Sequence, residues 1–349
     1  MKAQEIPVAG WLKVVRFTEA ASGLDSVIAV HDASLGPACG GCRIRPYHSL
    51  EAALADVTAL SRGMTFKNAL AGIPFGGGKA VIIADPKTQK SEALLRAFGR
   101  AVDSLGGLYY TAEDSGIGEH DLAFVREETK FVAGLPHGGK GGDPSPFTAR
   151  GVLRGIEAAV RFRLKRETLA GVRVAVLGVG AVGMALAGML HEAGAHLVVA
   201  DVNESAVAEA VRRFGAVALS PEDCICADVD VFAPCALGGA INPQTIGRLK
   251  AAIVAGAANN QLGAAGMDAA LAAKGVLYAP DYVINAAGVI SVGLEILGRW
   301  DGADLDRRID AIGEMLTAIF ERGAREGRPT GEIADEMAMD VIAKARKAA

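Results

Sequence analysis

The stretch Val172-Arg-Val-Ala-Val-Leu-Gly178-Val-Gly180-Ala-Val-Gly183 decides the fold. A β-branched apolar run meets glycines in the order G-x-G-x-x-G, and a helical pattern from Ala181 to Ala193 follows at once. In that strand, turn, helix setting each glycine has a physical task. Gly178 makes the tight turn, Gly180 lets the backbone approach a pyrophosphate, and Gly183 lets the helix pack closely on the strand. Free N–H groups at Ala181 and Val182, together with the helix dipole, favour an anion at this end. The next strand, His196 to Ala200, closes on Asp201, 23 residues after Gly178. That is near the spacing of about 20 expected for a carboxylate accepting the ribose hydroxyls of a dinucleotide. A carboxylate repels a 2′-phosphate, and Val202, Asn203 and Glu204 supply no cation to bind one. The pattern favours NAD over NADP.

Outward from this stretch, short apolar runs recur at 229–233, 251–255 and 275–278 with helix-like sequence between them. The alternation predicts a doubly wound parallel sheet of Rossmann type. Towards the N-terminus, strand-like runs at 14–17, 27–30, 79–84 and 108–111 alternate with helical stretches at 52–62, 92–105 and 119–125. This predicts a separate α/β unit. Between the two lies Pro136-His-Gly-Gly-Lys-Gly-Gly-Asp-Pro-Ser-Pro146, rich in glycine and proline and read as a boundary. The expected division is a first domain over 1–135, a dinucleotide-binding domain over 136–324, and charged helices over about 325–349 that return to the first. A length of 349 residues suits two domains at roughly 150 each.

Composition narrows the function. With 36 Lys+Arg against 40 Asp+Glu, the net charge is −4, which argues against binding nucleic acid through its phosphates. Residues 174–190 carry no charge, yet at 17 residues with interspersed glycines they fall short of the roughly 18–20 that span a bilayer, so no membrane partner is expected. The N-terminal segment has no apolar run of signal-peptide type, which predicts a cytoplasmic protein. Five cysteines at 39, 42, 224, 226 and 235 suit reduced thiols better than a disulfide framework. Cys39-x-x-Cys42 has no second ligand pair at zinc spacing, so no metal is expected. Glycine is the outlier, at 44 of 349, against a background of about 7%.

Two glycine clusters, Gly40-Gly41 and Gly76-Gly77-Gly78, accompany Lys67 and Lys79, each lysine flanked by small or apolar residues. Burying a lysine is costly, and a desolvated ammonium loses its proton more readily. One of the pair suits holding a substrate carboxylate and the other suits general-base work. Asp114, after the short strand at 108–111, could pair with the second lysine. Spacing alone leaves open that both lysines are surface residues beside a tight turn.

Several runs resolve that alternative: Leu35-Gly-Pro-Ala-Cys-Gly-Gly-Cys-Arg43, Met64-Thr-Phe-Lys67-Asn68, Gly76-Gly-Gly-Lys79, Thr111-Ala-Glu-Asp114, Pro144-Ser-Pro146 with Thr148, Ala257-Ala-Asn-Asn260, and Tyr278-Ala-Pro-Asp-Tyr-Val-Ile-Asn285-Ala-Ala-Gly288. Together they make nearly the whole chain resemble the glutamate/leucine/phenylalanine/valine dehydrogenases. The resemblance implies NAD-dependent oxidative deamination of an L-amino acid to a 2-oxo acid and ammonium, the reverse amination, and a homo-oligomer. It implies that Lys67 holds the substrate carboxylate, Lys79 is the catalytic base and Asp114 shares its proton traffic. Asn260 would contact nicotinamide and substrate, and Thr148 would lie near the nicotinamide carboxamide. Ala236 and Asn285 complete the cofactor set implied by the likeness.

The same resemblance lines the side-chain pocket with Cys39, Gly40, Ala112, Val289 and Val292. Glutamate-specific members place a lysine and a serine where Cys39 and Val292 stand here, so a side-chain carboxylate would be desolvated without a partner. An apolar substrate of leucine, valine or isoleucine type is expected. Leucine-type members usually carry a larger residue than Cys39, and the extra room keeps phenylalanine as the alternative. A non-catalytic NAD-sensing protein would have no use for Lys67, Lys79 and Asp114 together. A 2-hydroxy-acid dehydrogenase would call for a His–carboxylate pair near an arginine, and His120 and His137 have no such partner at useful spacing.

Overall fold

The computed structural model describes residues 1–135 and 143–348. The glycines of the boundary segment, Gly138 to Gly142, lie outside the described residues. The chain divides into two compact units, one of Met1–Asp143, Ser291–Asp301 and Ala338–Ala349, the other of Pro144–Ile290 and Gly302–Met337.

The first unit carries strands β1 (Lys2–Glu5), β2 (Lys13–Glu19), β3 (Leu24–Asp32), β4 (Ala38–Cys39), β5 (Cys42–Arg45), β6 (Gly76–Ile83) and β7 (Tyr109–Tyr110). The sheet order is β1-β2-β3-β6-β4-β7, with β5 also paired to β6. Strands β2 and β3 pair antiparallel, as do β3 and β6, whereas β4 and β5 lie parallel to β6. Side chains alternate across a sheet, so each strand feeds two cores. Ile28, Val30, Ile44, Ala80 and Ile82 face one core with α2 (Glu92–Asp103) and α3 (Glu119–Arg126). Val27, Ala29 and Val81 face the other, with Ala53 and Val57 of α1 (Leu50–Leu70). Lys79, two residues before Val81, lies on this second face.

Helix α1 runs well past the 52–62 predicted from periodicity, through Gly63 to Leu70. A mid-helix glycine costs about 1 kcal/mol. The buried Thr65, Phe66, Asn68, Ala69 and Leu70 offset that by packing on the sheet. Lys67 therefore sits in the last turn of a helix, and the Asn68 amide donates to the carbonyl of Gly76 at 2.6 Å, fixing α1 to the start of β6.

The second unit opens with α4 (Ser145–Leu164) and continues β8 (Arg173–Leu177), α5 (Ala181–Glu192), β9 (His196–Ala200), α6 (Glu204–Phe214), β10 (Val217–Ala218), α7 (Pro221–Ile225) and β11 (Val231–Pro234). It ends its sheet with β12 (Ile253–Val254), α8 (Met267–Ala273) and β13 (Leu277–Tyr278). All pairs in this sheet are parallel, in the order β10-β9-β8-β11-β12-β13. This is the doubly wound order, whose direction of winding reverses between β8 and β11, where ligands bind beyond the carboxyl ends of the strands. The uncharged stretch 174–190 is thus a strand, a turn and a helix. Among the described residues no helix is long and apolar enough to cross a membrane. After α9 (Asp281–Ile284) and α10 (Ala287–Ile296), the chain ends in α11 (Gly302–Glu326) and α12 (Thr330–Ala348). Gly323 stays helical, and the two helices are separated only by residues 327–329.

Candidate active site

In the first unit, β6 carries Lys79 on the face beneath α1, 7% exposed. Its Nζ lies 2.7 Å from Oδ2 of Asp114, which follows β7. Burial alone would raise the Asp114 pKa. Lys79 and Arg43 outweigh it and hold the carboxyl below its ordinary value. Arg43, on β5, places Nε 3.3 Å from the same Asp114 oxygen. Its Nη1 donates to both oxygens of Asp56 on α1, at 3.1 and 3.3 Å, and the Tyr47 hydroxyl donates to Asp56 Oδ2 at 2.5 Å. Arg43 ends one of the motif runs, but the sequence assigned it no task. Its partners are remote in the chain and meet only through the β5–β6 register and the seating of α1.

The glycines around the lysines are demanded by packing. A Cβ on Gly77 would overlap the backbone nitrogen of Thr65 on α1, and one on Gly40 would overlap the carbonyl oxygen of Gly78. Helix and strands therefore approach closely beside Lys67 and Lys79. Cys39 lies on β4, 1% exposed, and Ala112 is 8% exposed. Burial pushes the Cys39 thiol up to about 12; Lys79 opposes and Glu295 of α10 adds to the rise. Such a thiol is a small hydrophobe rather than a nucleophile. Val292 belongs to this unit. Val289, one turn earlier on α10, belongs to the other.

In the second unit Gly178, Asp201, Ala236 and Asn260 follow the carboxyl ends of β8, β9, β11 and β12. Gly178 has φ +101°, and a Cβ there would lie 2.6 Å from the backbone nitrogen of Ala236 beyond β11. A Cβ on Gly183 would overlap the Gly178 carbonyl oxygen, whereas Gly180 has no protein atom within 4 Å of that position. The loop is thus packed at its first and third glycines and open at its second. The N-cap of α5 is Gly180, which has no side chain to accept from the first-turn N–H groups at Ala181 and Val182. Asp201 accepts the Val179 N–H at 2.7 Å and the Asn203 N–H at 2.9 Å, bracing the loop from the end of β9. These residues fit a dinucleotide diphosphate and ribose.

Beyond β12, Asn260 holds a left-handed backbone at φ +52°, with its carbonyl accepting the Gly239 N–H at 2.7 Å. Among non-glycine residues asparagine adopts this region most readily. Asn285 is 4% exposed, and its amide donates to Asn259 Oδ1 at 2.8 Å and to the Ala257 carbonyl at 3.0 Å. Thr148, in the first turns of α4, donates to the Pro144 carbonyl at 3.1 Å. A Cβ on Gly288 would stand 2.9 Å from its hydroxyl oxygen.

Family comparison agrees with this geometry. Residues 12–131 match the Glu/Leu/Phe/Val dehydrogenase dimerisation domain, and residues 201–349 match the glutamate/leucine/phenylalanine/valine dehydrogenase model. The leucine dehydrogenase of Geobacillus stearothermophilus is 48% identical over 328 residues, 94% of this chain and 89% of that one. The valine dehydrogenase of Streptomyces coelicolor is 45% identical over 344 residues, 97% and 93% of the two chains. The crystal structure of L-tryptophan dehydrogenase from Nostoc punctiforme superposes with a TM-score of 0.84 at 44% identity, covering 97% of each chain. This chain belongs to the Glu/Leu/Phe/Val dehydrogenase family and is an amino-acid dehydrogenase.

Proposed function

We propose that the chain catalyses oxidative deamination of a branched aliphatic L-amino acid, such as leucine, valine or isoleucine, to its 2-oxo acid and ammonium, with NAD as hydride acceptor, and the reverse reductive amination. The observation that carries this reading is the buried Lys79–Asp114 pair at 2.7 Å, on the sheet face covered by the helix that bears Lys67. The side-chain residues Cys39, Gly40, Ala112, Val289 and Val292 offer no charge to a carboxylate on the substrate's side chain, and the nearby Glu295 would repel one. The relative named L-tryptophan dehydrogenase, 47% identical, favours an aromatic side chain as the second reading. One methylene in an apolar pocket changes discrimination by only about 1–3 kcal/mol, so leucine and isoleucine are expected to be separated from valine by factors of about 10–200.

When bound, NAD supplies a hydride acceptor for the substrate Cα. The residues that would hold it are Gly178, Gly180, Ala181, Val182, Gly183, Asp201, Ala236, Asn260, Asn285 and Thr148. Lys67 fixes the substrate carboxylate as an ion pair. Lys79 takes the proton of the water that attacks the oxidised carbon, and the Asp114 carboxylate accepts from Lys79 and shares that proton. A homo-oligomer goes with this reading: residues 12–131 match a dimerisation domain, and β1 is an exposed edge strand. A cytoplasmic setting goes with a small-molecule reaction and free thiols.

Lys79→Ala tests the assignment. Removing a general base should lower kcat by at least about 10²-fold, within the usual 10²–10⁴, while NADH affinity stays within about twofold. A loss below about tenfold would show that Lys79 is not the base.

A further inference from the structure

Asp114 faces two cations of different character. Lys79 gains and loses a proton in each turnover under the reading above, so it is not a constant countercharge. Arg43 is charged at every accessible pH. The side chains are largely withdrawn from water, with Lys79 9%, Arg43 17% and Asp114 19% exposed, so their charges are weakly screened. Burial of Asp114 favours the protonated acid, which would no longer accept a proton. The other titratable groups beside it give no help. Glu113 precedes it and is negative when ionised, while the Cys42 thiol and Tyr109 phenol are buried and held neutral. Arg43 is itself aimed by Asp56, whose carboxylate takes the Tyr47 hydroxyl, and Arg45 lies 5.1 Å over the Tyr47 ring.

We propose that Arg43, oriented by Asp56 and Tyr47, is a positioning residue that keeps Asp114 an ionised acceptor turned towards Lys79 throughout the catalytic cycle. This rests on the reading of Lys79 and Asp114 as the proton-handling pair. In the step concerned, the water oxygen bonds to the substrate carbon oxidised to the iminium, the C=N π pair passes to the substrate nitrogen, and a water O–H bond breaks. The proton passes to the Lys79 nitrogen, and Asp114 balances the new ammonium. Arg43 takes no proton. It fixes the charge against which the transfer occurs.

The test is the pH profile of kcat for NAD-dependent oxidation of L-leucine by Arg43→Met, Arg43→Lys and Asp56→Asn. Removing a neighbouring cation shifts a carboxylate by about 1–3 units, so Arg43→Met should move the acid limb of the Lys79–Asp114 pair upward by about one unit or more. Its kcat should fall about tenfold, with KM for both substrates within about threefold. Arg43→Lys should restore the limb but only part of the rate, because a point charge lacks the guanidinium fork. Asp56→Asn should shift the limb less, in the same direction. A parental limb in Arg43→Met overturns the proposal, whatever its melting temperature. If that variant fails to fold, unmoved limbs in Asp56→Asn, with no rate loss in Arg43→Lys, overturn it equally. Asp114→Asn separates the two readings. Parental turnover there defeats the proton-pair reading itself, whereas loss of turnover with an unmoved Arg43→Met limb defeats only the role of Arg43.

Discussion

Asp201 is tied by two backbone N–H groups, one of them from Val179 inside the glycine loop, so its carboxylate is in place before any ribose arrives. Asp201→Ala should weaken NAD binding by about tenfold or more, the equivalent of one hydrogen bond to a charged group, and narrow the preference over NADP. Calorimetric titration of both cofactors measures this, and an unchanged NAD affinity contradicts it. The pairing of Lys79 with Asp114 was one of two readings that spacing left open, and Asp201 was legible as the carboxylate that closes β9. Arg43, Asp56 and Tyr47 were not legible. Their contacts depend on which strand lies beside β6 and which turn of α1 crosses it, and no local pattern encodes that. The left-handed backbone of Asn260 was equally hidden, because nothing in Ala257-Ala-Asn-Asn260 requires a positive φ.

Among the elements, the five strand-like runs read in the dinucleotide unit fall within two residues of β8, β9, β11, β12 and β13, and α5 within one, whereas the two-residue β10 went unread and the helices after β9 were given no bounds. Helix α1 was read too short. Gly63 resembles a stop, and the burial of Thr65, Phe66, Asn68, Ala69 and Leu70, with Thr65 close on Gly77, explains why the helix continues. Helix α12 has a cap that sequence does not reveal. Asp268 on α8 accepts the Gly331 N–H at 2.8 Å, and burial, the larger effect, raises its pKa to about 6 despite that bond. A carboxylate whose folded pKa is raised binds its proton more tightly when folded. Its contribution is full below the ordinary carboxylate value near 4 and is lost as pH rises through about 6. Asp268→Asn keeps an acceptor without the buried charge. It should raise the melting temperature at pH 8, with the gain vanishing by about pH 4. A variant less stable than the parent at pH 8 would show that the charge of the cap outweighs its desolvation.

For the whole molecule, glycine serves mostly the backbone: among the described residues 17 glycines hold a positive φ, and others, Gly40 and Gly77 among them, let helix and strands approach closely around Lys79. The division of the chain was less legible. Residues 291–301 fall in the first unit and the return to it begins at Ala338, while the sequence-based division drew one segment over 136–324 and the return near 325. Helices α10 and α12 each run without interruption from one unit into the other, so periodicity carries no mark of the crossing. The most direct measurement is NADH formation at alkaline pH by the purified, folded protein with NAD, over a panel of L-amino acids and 2-hydroxy acids. We predict turnover with L-leucine, L-valine and L-isoleucine, and little with L-glutamate or any 2-hydroxy acid. No NADH from any L-amino acid, or faster turnover of a 2-hydroxy acid, would contradict it.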